Sequence, residues 1–436
     1  MGRASPLRRN REFQLLWSGQ ATSELGTRTA QLAYPLLVLA VTGSPAKAGL
    51  VGFASGLPVF LFGLPAGALV DRVDRRRLML VCDGVRAISV ATIALALLDG
   101  SLVFAQIVVV AFIEGTMTVL ANPAERGALR QIVSRDDIPT AIAQNEARVY
   151  GASLAGPPLG GLLFGAARFA PFLFDAVSYV CSFATLAAIS TPFQEERRPA
   201  RTRLRHEVAE GLRWLAKQPF LRAAVLLAGA GNFVSNALGL VIIVLARGQG
   251  ASATLIGAIF AIFAAGGLLG SVAAPALQRR LSARHAVIGY LVIYALLVPI
   301  LAVASPLELG LLFGAMLFGA PVLNTIFGAY EVALVPDRLL GRVEAANAVV
   351  TAGAGPLSRL TAGILLSLIG GTSTVVVFAA ISAATALLAI GSRAIRQVPD
   401  LTALAAEPTA ARDNLSRPER LWPHSGAPTN QPLIRR

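Results

Sequence analysis

The sequence predicts an all-α polytopic membrane protein with twelve transmembrane helices in two six-helix pseudo-repeats. Three observations carry that reading. The 436 residues are 55% hydrophobic and only 14% charged, with a mean hydropathy of +0.65, a balance that soluble domains do not have. Uncharged runs such as residues 48–70 are long enough to cross a hydrocarbon core of about 30 Å. The chain also repeats itself: Val133, Asn145, Gly151 and Gly161 stand 202 residues before Val335, Asn347, Gly353 and Gly363, and Asn122 stands the same distance before Asn324. Parallel repeats of this kind divide a polytopic bundle into equivalent halves.

Charge and composition then exclude several classes. A net charge of +14 would suit nucleic acid, but most arginines lie at the ends of apolar runs, in a linker and in the tail. That is the positive-inside pattern, and no nucleic-acid partner is expected. The outer loops offer Lys47, Arg168 and Arg247 as their basic residues, against four Arg in residues 71–77 alone. Both termini are therefore expected on the cytoplasmic side of the cell membrane. Cys82 and Cys181 are far apart and His206, His285 and His424 lack ligand spacing, so no disulfide, metal or cofactor is expected. With no phosphate-cradling loop and no nucleophile beside a base, no catalytic residue is assigned and the chain does not read as an enzyme.

Taken in order, residues 1–11 carry Arg3, Arg8, Arg9 and Arg11 and read as an uncleaved start. The first span, residues 13–42, places Gln20, Glu24, Arg28 and Gln31 on one helical face, which should look inward, with Glu24 and Arg28 able to pair. The second, residues 48–70, contains Gly52-x-x-x-Gly56 and Gly63-x-x-x-Gly67, surfaces for close helix packing. The third and fourth cover residues 83–98 and 102–124, the fourth interrupted by Glu114; a basic segment, residues 126–137, follows. The fifth, residues 139–165, carries Gly156-Pro157-Pro158-Leu159-Gly160-Gly161, where Pro157 bends the helix. The sixth covers residues 172–191 and contains Asp175 near its start. Residues 1–192 thus form an N-terminal half and residues 193–219 a basic linker, in which Leu204, Val208, Leu212 and Leu215 recur at the spacing of an amphipathic surface helix. Six further runs within residues 220–396 form the C-terminal half, and the polar tail, residues 397–436, is expected to be disordered.

The loop after the second span is the most distinctive stretch. Gly67, Asp71, Arg72, Arg75 and Arg76 resemble the signature of the major facilitator superfamily, Gly-x-x-x-Asp-Arg-x-Gly-Arg-Arg, with Asp74 standing at the Gly. Gly156, Pro157, Gly160 and Gly161 match half of an antiporter-associated motif, with Ala152 where a further Gly is usual. The linker stretch Glu210-Gly211-Leu212-Arg213-Trp214-Leu215 resembles the enterobactin-exporter-like and macrolide-efflux branch.

The resemblance implies the major facilitator fold and a monomeric secondary transporter, a proton-coupled exporter of a siderophore, macrolide or other drug-like molecule by alternating access. An importer or uniporter on the same fold, and a non-transporting sensor or scaffold, stand as alternatives. It also implies that residues 67–76 latch one conformation. Asp71 would meet a helix N-terminus in the other half, near Glu344 to Ala346. Glu24 and Glu114 are the candidate proton carriers. Gln20, Arg28, Gln31, Arg148, Asn232, Asn236, Asn324 and Thr351 are the candidate cavity residues, with Arg148 either paired to an acid such as Glu114 or meeting an anionic substrate group.

Overall fold

The computed structural model describes residues 6–70, 72–194 and 204–396. These hold twelve long helical segments and no strand, and nine of the helices are long and apolar enough to cross a membrane. The N-terminal six are α1 (Arg11–Thr42), α2 (Pro45–Val70), α3 (Arg75–Leu98), α4 (Phe104–Ile132), α5 (Ile138–Ala166) and α6 (Ala170–Ala187). After the linker helix Leu204–Lys217 come α7 (Pro219–Gly248), α8 (Ala253–Arg280) and α9 (Ala283–Leu297, extended by a 3₁₀ turn). α10 is two pieces, Pro306–Phe318 and Ala320–Leu334, that meet at Gly319. The continuous stretch Asp337–Gly391 is broken at Gly370 (φ 78°, ψ 175°), a conformation that suits glycine, and the break separates α11 (337–369) from α12 (371–391).

Local chemistry sets the boundaries. Asn10 caps α1 by accepting the Phe13 amide at 3.0 Å, and Gly43 in the left-handed conformation ends it. Ser305 and Glu308 form a capping box that starts α10. α3 begins at Arg75, eight residues before the apolar run, because Asp74 accepts the Arg77 amide at 2.8 Å. The basic triplet Arg75–Arg77 is thus the first turn of a helix rather than a loop. α4 likewise continues to Ile132, past the end of its apolar run, and carries Arg126 and Arg130 on its last turns.

The halves meet along two seams, α2 against α11 and α5 against α8. Both are tight on the side remote from the N-terminus. A side-chain carbon added at Gly49 would lie 2.5 Å from the Arg359 carbonyl, and one at Gly161 would lie 2.3 Å from that of Ala253. Towards the terminal side both seams part. Among the described residues, Gly67 and Gly151 have nothing within 4 Å of such a carbon. The sequence reading of Gly67 as a close-packing position therefore does not hold in this conformation, whereas Gly52 and Gly56 do pack, against Arg359 and Pro356. The hydrophobic core repeats the asymmetry. One cluster, from Leu36 to Val241 and Phe378, spans both halves on the remote side. On the terminal side each half has its own, around Phe13 and Met79 and around Phe220 and Tyr330. The bundle is closed on one face and split on the other.

Candidate functional site

A buried polar cluster lies inside the N-terminal half. Helices α1, α3, α4 and α6 supply Tyr34, Asp83 with Arg86, Glu114, and Asp175 with Tyr179. Tyr34 donates its hydroxyl hydrogen to Glu114 Oε2, and Tyr179 donates to Glu114 Oε1 at 3.3 Å. Thr27 stands 2.8 Å from the Tyr179 hydroxyl. Arg86 lies over the Tyr179 ring at 5.4 Å, donates to Thr118 at 2.8 Å and stands 3.9 Å from Asp83, whose other oxygen accepts from Ser182 at 2.7 Å. Asp175 is fully buried, its carboxyl interacts with that of Glu114, and its Oδ2 receives no conventional hydrogen bond. Three carboxyl groups therefore share one guanidinium in a site shielded from water.

The second polar region lies between the halves, about midway along the helices. Glu24 and Arg28 on α1 pair at 2.8 Å, and Arg28 reaches Gln31 at 3.3 Å. Gly156 allows α5 to press on Arg28, since a side-chain carbon there would lie 2.3 Å from Arg28 Cβ, while Gly161, on the same turn as Gly160, faces α8. Pro157 and Pro158 line the same seam opposite Gly257. From the other half, Asn236 binds the Asn232 carbonyl through its amide nitrogen at 2.8 Å and accepts from Arg359 at 3.4 Å.

The remaining sequence-predicted residues distribute as follows. Gln20 donates to Ser182 at 3.0 Å and so joins the N-terminal cluster rather than the space between halves. Arg148 pairs with Glu125 of α4 at 2.7 Å, not with Glu114, which lies about three turns further along α4 and is already engaged by two tyrosines. Asn324 is exposed, and the Thr351 side chain lies outside the described residues. Asp71 also lies outside them, as do the side chains of residues 344–346. Arg72 is exposed, whereas Arg75 donates to the Phe193 carbonyl at 3.3 Å and Arg76 to those of Leu186 and Ala187 at 3.2 and 2.6 Å. Arg76 holds the carbonyl end of α6, a favourable place for a cation, and Arg75 holds the segment that follows it, both within their own half. Sequence reasoning did not assign Asp83, Arg86, Asp175 or Arg359 to a site. Each is a charge in or beside an apolar run, which was the signal available.

Twelve spans in two parallel repeats, with polar groups gathered midway and one face split, define a membrane transporter of the major facilitator type. The chain belongs to the family described as "Transmembrane secretion effector", whose profile matches residues 1–426. That is a family of transporters, not a class of enzymes. The chain is 25% identical over 365 residues to the multidrug efflux pump Tap of Mycolicibacterium fortuitum, covering 80% of this chain and 88% of that protein. It is 23% identical over 182 residues to macrolide efflux protein A of Streptococcus pyogenes, covering 42% and 45%. Among solved structures it is similar to the nucleoside transporter NupG (TM-score 0.71, 14% identity, 89% and 100% of the two chains). It is also similar to a bacterial homologue of the iron transporter ferroportin (TM-score 0.70, 16% identity, 89% and 99%). At these identities the structural likeness shows the fold alone.

Proposed function

We propose that the protein is a proton-driven exporter of small amphipathic organic molecules, working by alternating access across the cell membrane with both termini in the cytoplasm. The observation that carries the reading is the Tyr34–Glu114–Asp175 group. It places carboxyls in excess of cations at membrane depth, where unpaired charge is costly and where protons restore balance. Helix α1 connects this group to the substrate path, because it carries Tyr34 at one level and Glu24 with Arg28 at another. A proton arriving at Glu114 or Asp175 weakens the hold on Tyr34, and α1 can then shift against α5. Glu24, half-buried beside Arg28, serves as a further carboxylate on the route.

Support for export comes from the relatives named as efflux pumps, and the macrolide and multidrug substrates in those names suggest the class to screen. Residues 1–192 and 220–396 act as the two rocking halves in a monomer, and Asp71 with its basic loop latches the terminal face closed. The test is counterflow and gradient-driven uptake in oppositely oriented vesicles, with erythromycin, tetraphenylphosphonium and siderophores as probes. Accumulation driven by a proton gradient only in the export orientation supports the reading. Accumulation in the opposite orientation makes it an importer, gradient-independent equilibration makes it a uniporter, and no flux of any probe leaves a sensor or scaffold.

A further inference from the structure

We infer that Arg28 and Arg359, one from each half, form an anion-binding subsite at the closed end of the space between the halves, fitted to a carboxylate or similar acid group on the transported molecule. The inference rests on the reading of the space between the halves as the substrate path. Arg359 is the one charged residue in the sequence from 345 to 391, a stretch otherwise apolar enough to span the membrane twice. Its stem lies in the slot left by Gly52, where a side-chain carbon would come within 2.9 Å of Arg359 Cδ. Its head contacts Asn236 Oδ1 at 3.4 Å, and among the described residues no carboxylate stands within ion-pair distance. The Asn236 amide nitrogen is committed to the Asn232 carbonyl, which turns the amide oxygen towards the guanidinium.

Arg28 approaches the same space from α1, where it pairs with Glu24 at 2.8 Å and packs on Gly156 of α5. The charged groups facing this point are Glu24 and Arg28 from α1 and Arg359 from α11, while α2 presents Gly52 and α7 presents Asn236. Glu24 pairs with Arg28, whereas among the described residues Arg359 has no carboxylate beside it, which leaves one positive charge without a counter-ion at membrane depth, an arrangement that is retained where it has work to do. A guanidinium fork matches a carboxylate through two parallel hydrogen bonds, so Arg359 offers a directional seat and Arg28 a second cation beside it. Just beyond, the Gly49–Gly363 contact closes the seam, so a ligand entering from the split face stops there. An anion held by both arginines would tie the halves together and favour conformations in which they are near.

The experiment uses the purified full chain and two fluorescent probes that differ in one charge, dansylglycine and its methyl ester. The wild type should bind the acid at least ~10-fold more tightly than the ester. Arg359→Gln should remove that preference, so that acid and ester bind with equal affinity, and Arg359→Lys should restore part of it. Equal affinity of the wild type for acid and ester, no binding of either, or an undiminished preference in correctly folded Arg359→Gln would each overturn the proposal. The wild-type comparison does not depend on how the variants fold. Failure of proton-driven flux with the acid preference intact would instead refute the exporter reading and leave the subsite standing.

Discussion

The Tyr34 hydroxyl on α1 is hydrogen-bonded to the Glu114 carboxylate on α4, and Tyr179 of α6 holds the other oxygen of the same carboxylate. One acid thereby joins three helices, and its charge governs how firmly they are held. Hydrogen bonds to a charged acceptor contribute roughly 1.5–3 kcal/mol, against about 1 for neutral ones. A protonation at Glu114 therefore changes the attachment of α1 by an amount large enough to alter a conformational equilibrium.

Tyr34→Phe should keep the ring packing against Phe172 and delete this hydrogen bond alone. Expression and folding should be close to wild type, while the number of protons moved per substrate should fall. Simultaneous recording of substrate flux and internal pH in proteoliposomes checks this; an unchanged ratio would show that Tyr34 has a packing role only.

Asp74→Ala should remove the cap of α3 and destabilise the protein by about 1 kcal/mol, with Asp74→Asn or Asp74→Ser close to wild type. Thermal unfolding in detergent measures the difference. Equal melting of the Ala and Asn variants would mean that the cap does not limit stability.

Gly49→Leu should not fit against the Arg359 carbonyl, 2.5 Å from where its Cβ would stand. The remote seam would open and the terminal side would close. Nitroxides at exposed Arg77 and Arg280 should then report shorter distances than in the wild type. A distribution like the wild type's would mean that the seam tolerates the side chain and does not set the conformation.

Asp71→Asn should act in the opposite direction. A carboxylate at a helix N-terminus contributes roughly 0.3–1 kcal/mol when exposed and up to about 2 when partly buried, so its loss should favour the split terminal face by about two- to thirty-fold. The same label pair should lengthen, with substrate affinity little changed. An identical distribution would reduce the loop to a topology signal.

Much of this fold was legible from sequence because apolar runs bounded by charge have one solution in a bilayer. Even α1 and α5, the most polar spans, could be placed. The start of α3 was not, since Asp74 and three arginines look like a loop until the cap is recognised. Glycine spacing showed that helices could approach, but not at which end they do so, which depends on conformation; hence Gly52 packs and Gly67 does not. The pairing of Arg148 with Glu125, and of Glu114 with Tyr34, Tyr179 and Asp175, depends on how α1, α4, α5 and α6 converge. No spacing along one chain encodes that convergence. Arg359 was visible as a lone charge, but its lack of an acid partner emerges only in three dimensions.

The most direct test of the coupling site is gradient-driven transport by the Glu114→Gln/Asp175→Asn double variant in sealed proteoliposomes, with erythromycin, tetraphenylphosphonium and dansylglycine as probes. The account predicts that the wild type accumulates at least one probe when a proton gradient is imposed. The double variant should only equilibrate that probe downhill. Accumulation by the double variant to the wild-type level would contradict the assignment of the proton to this pair.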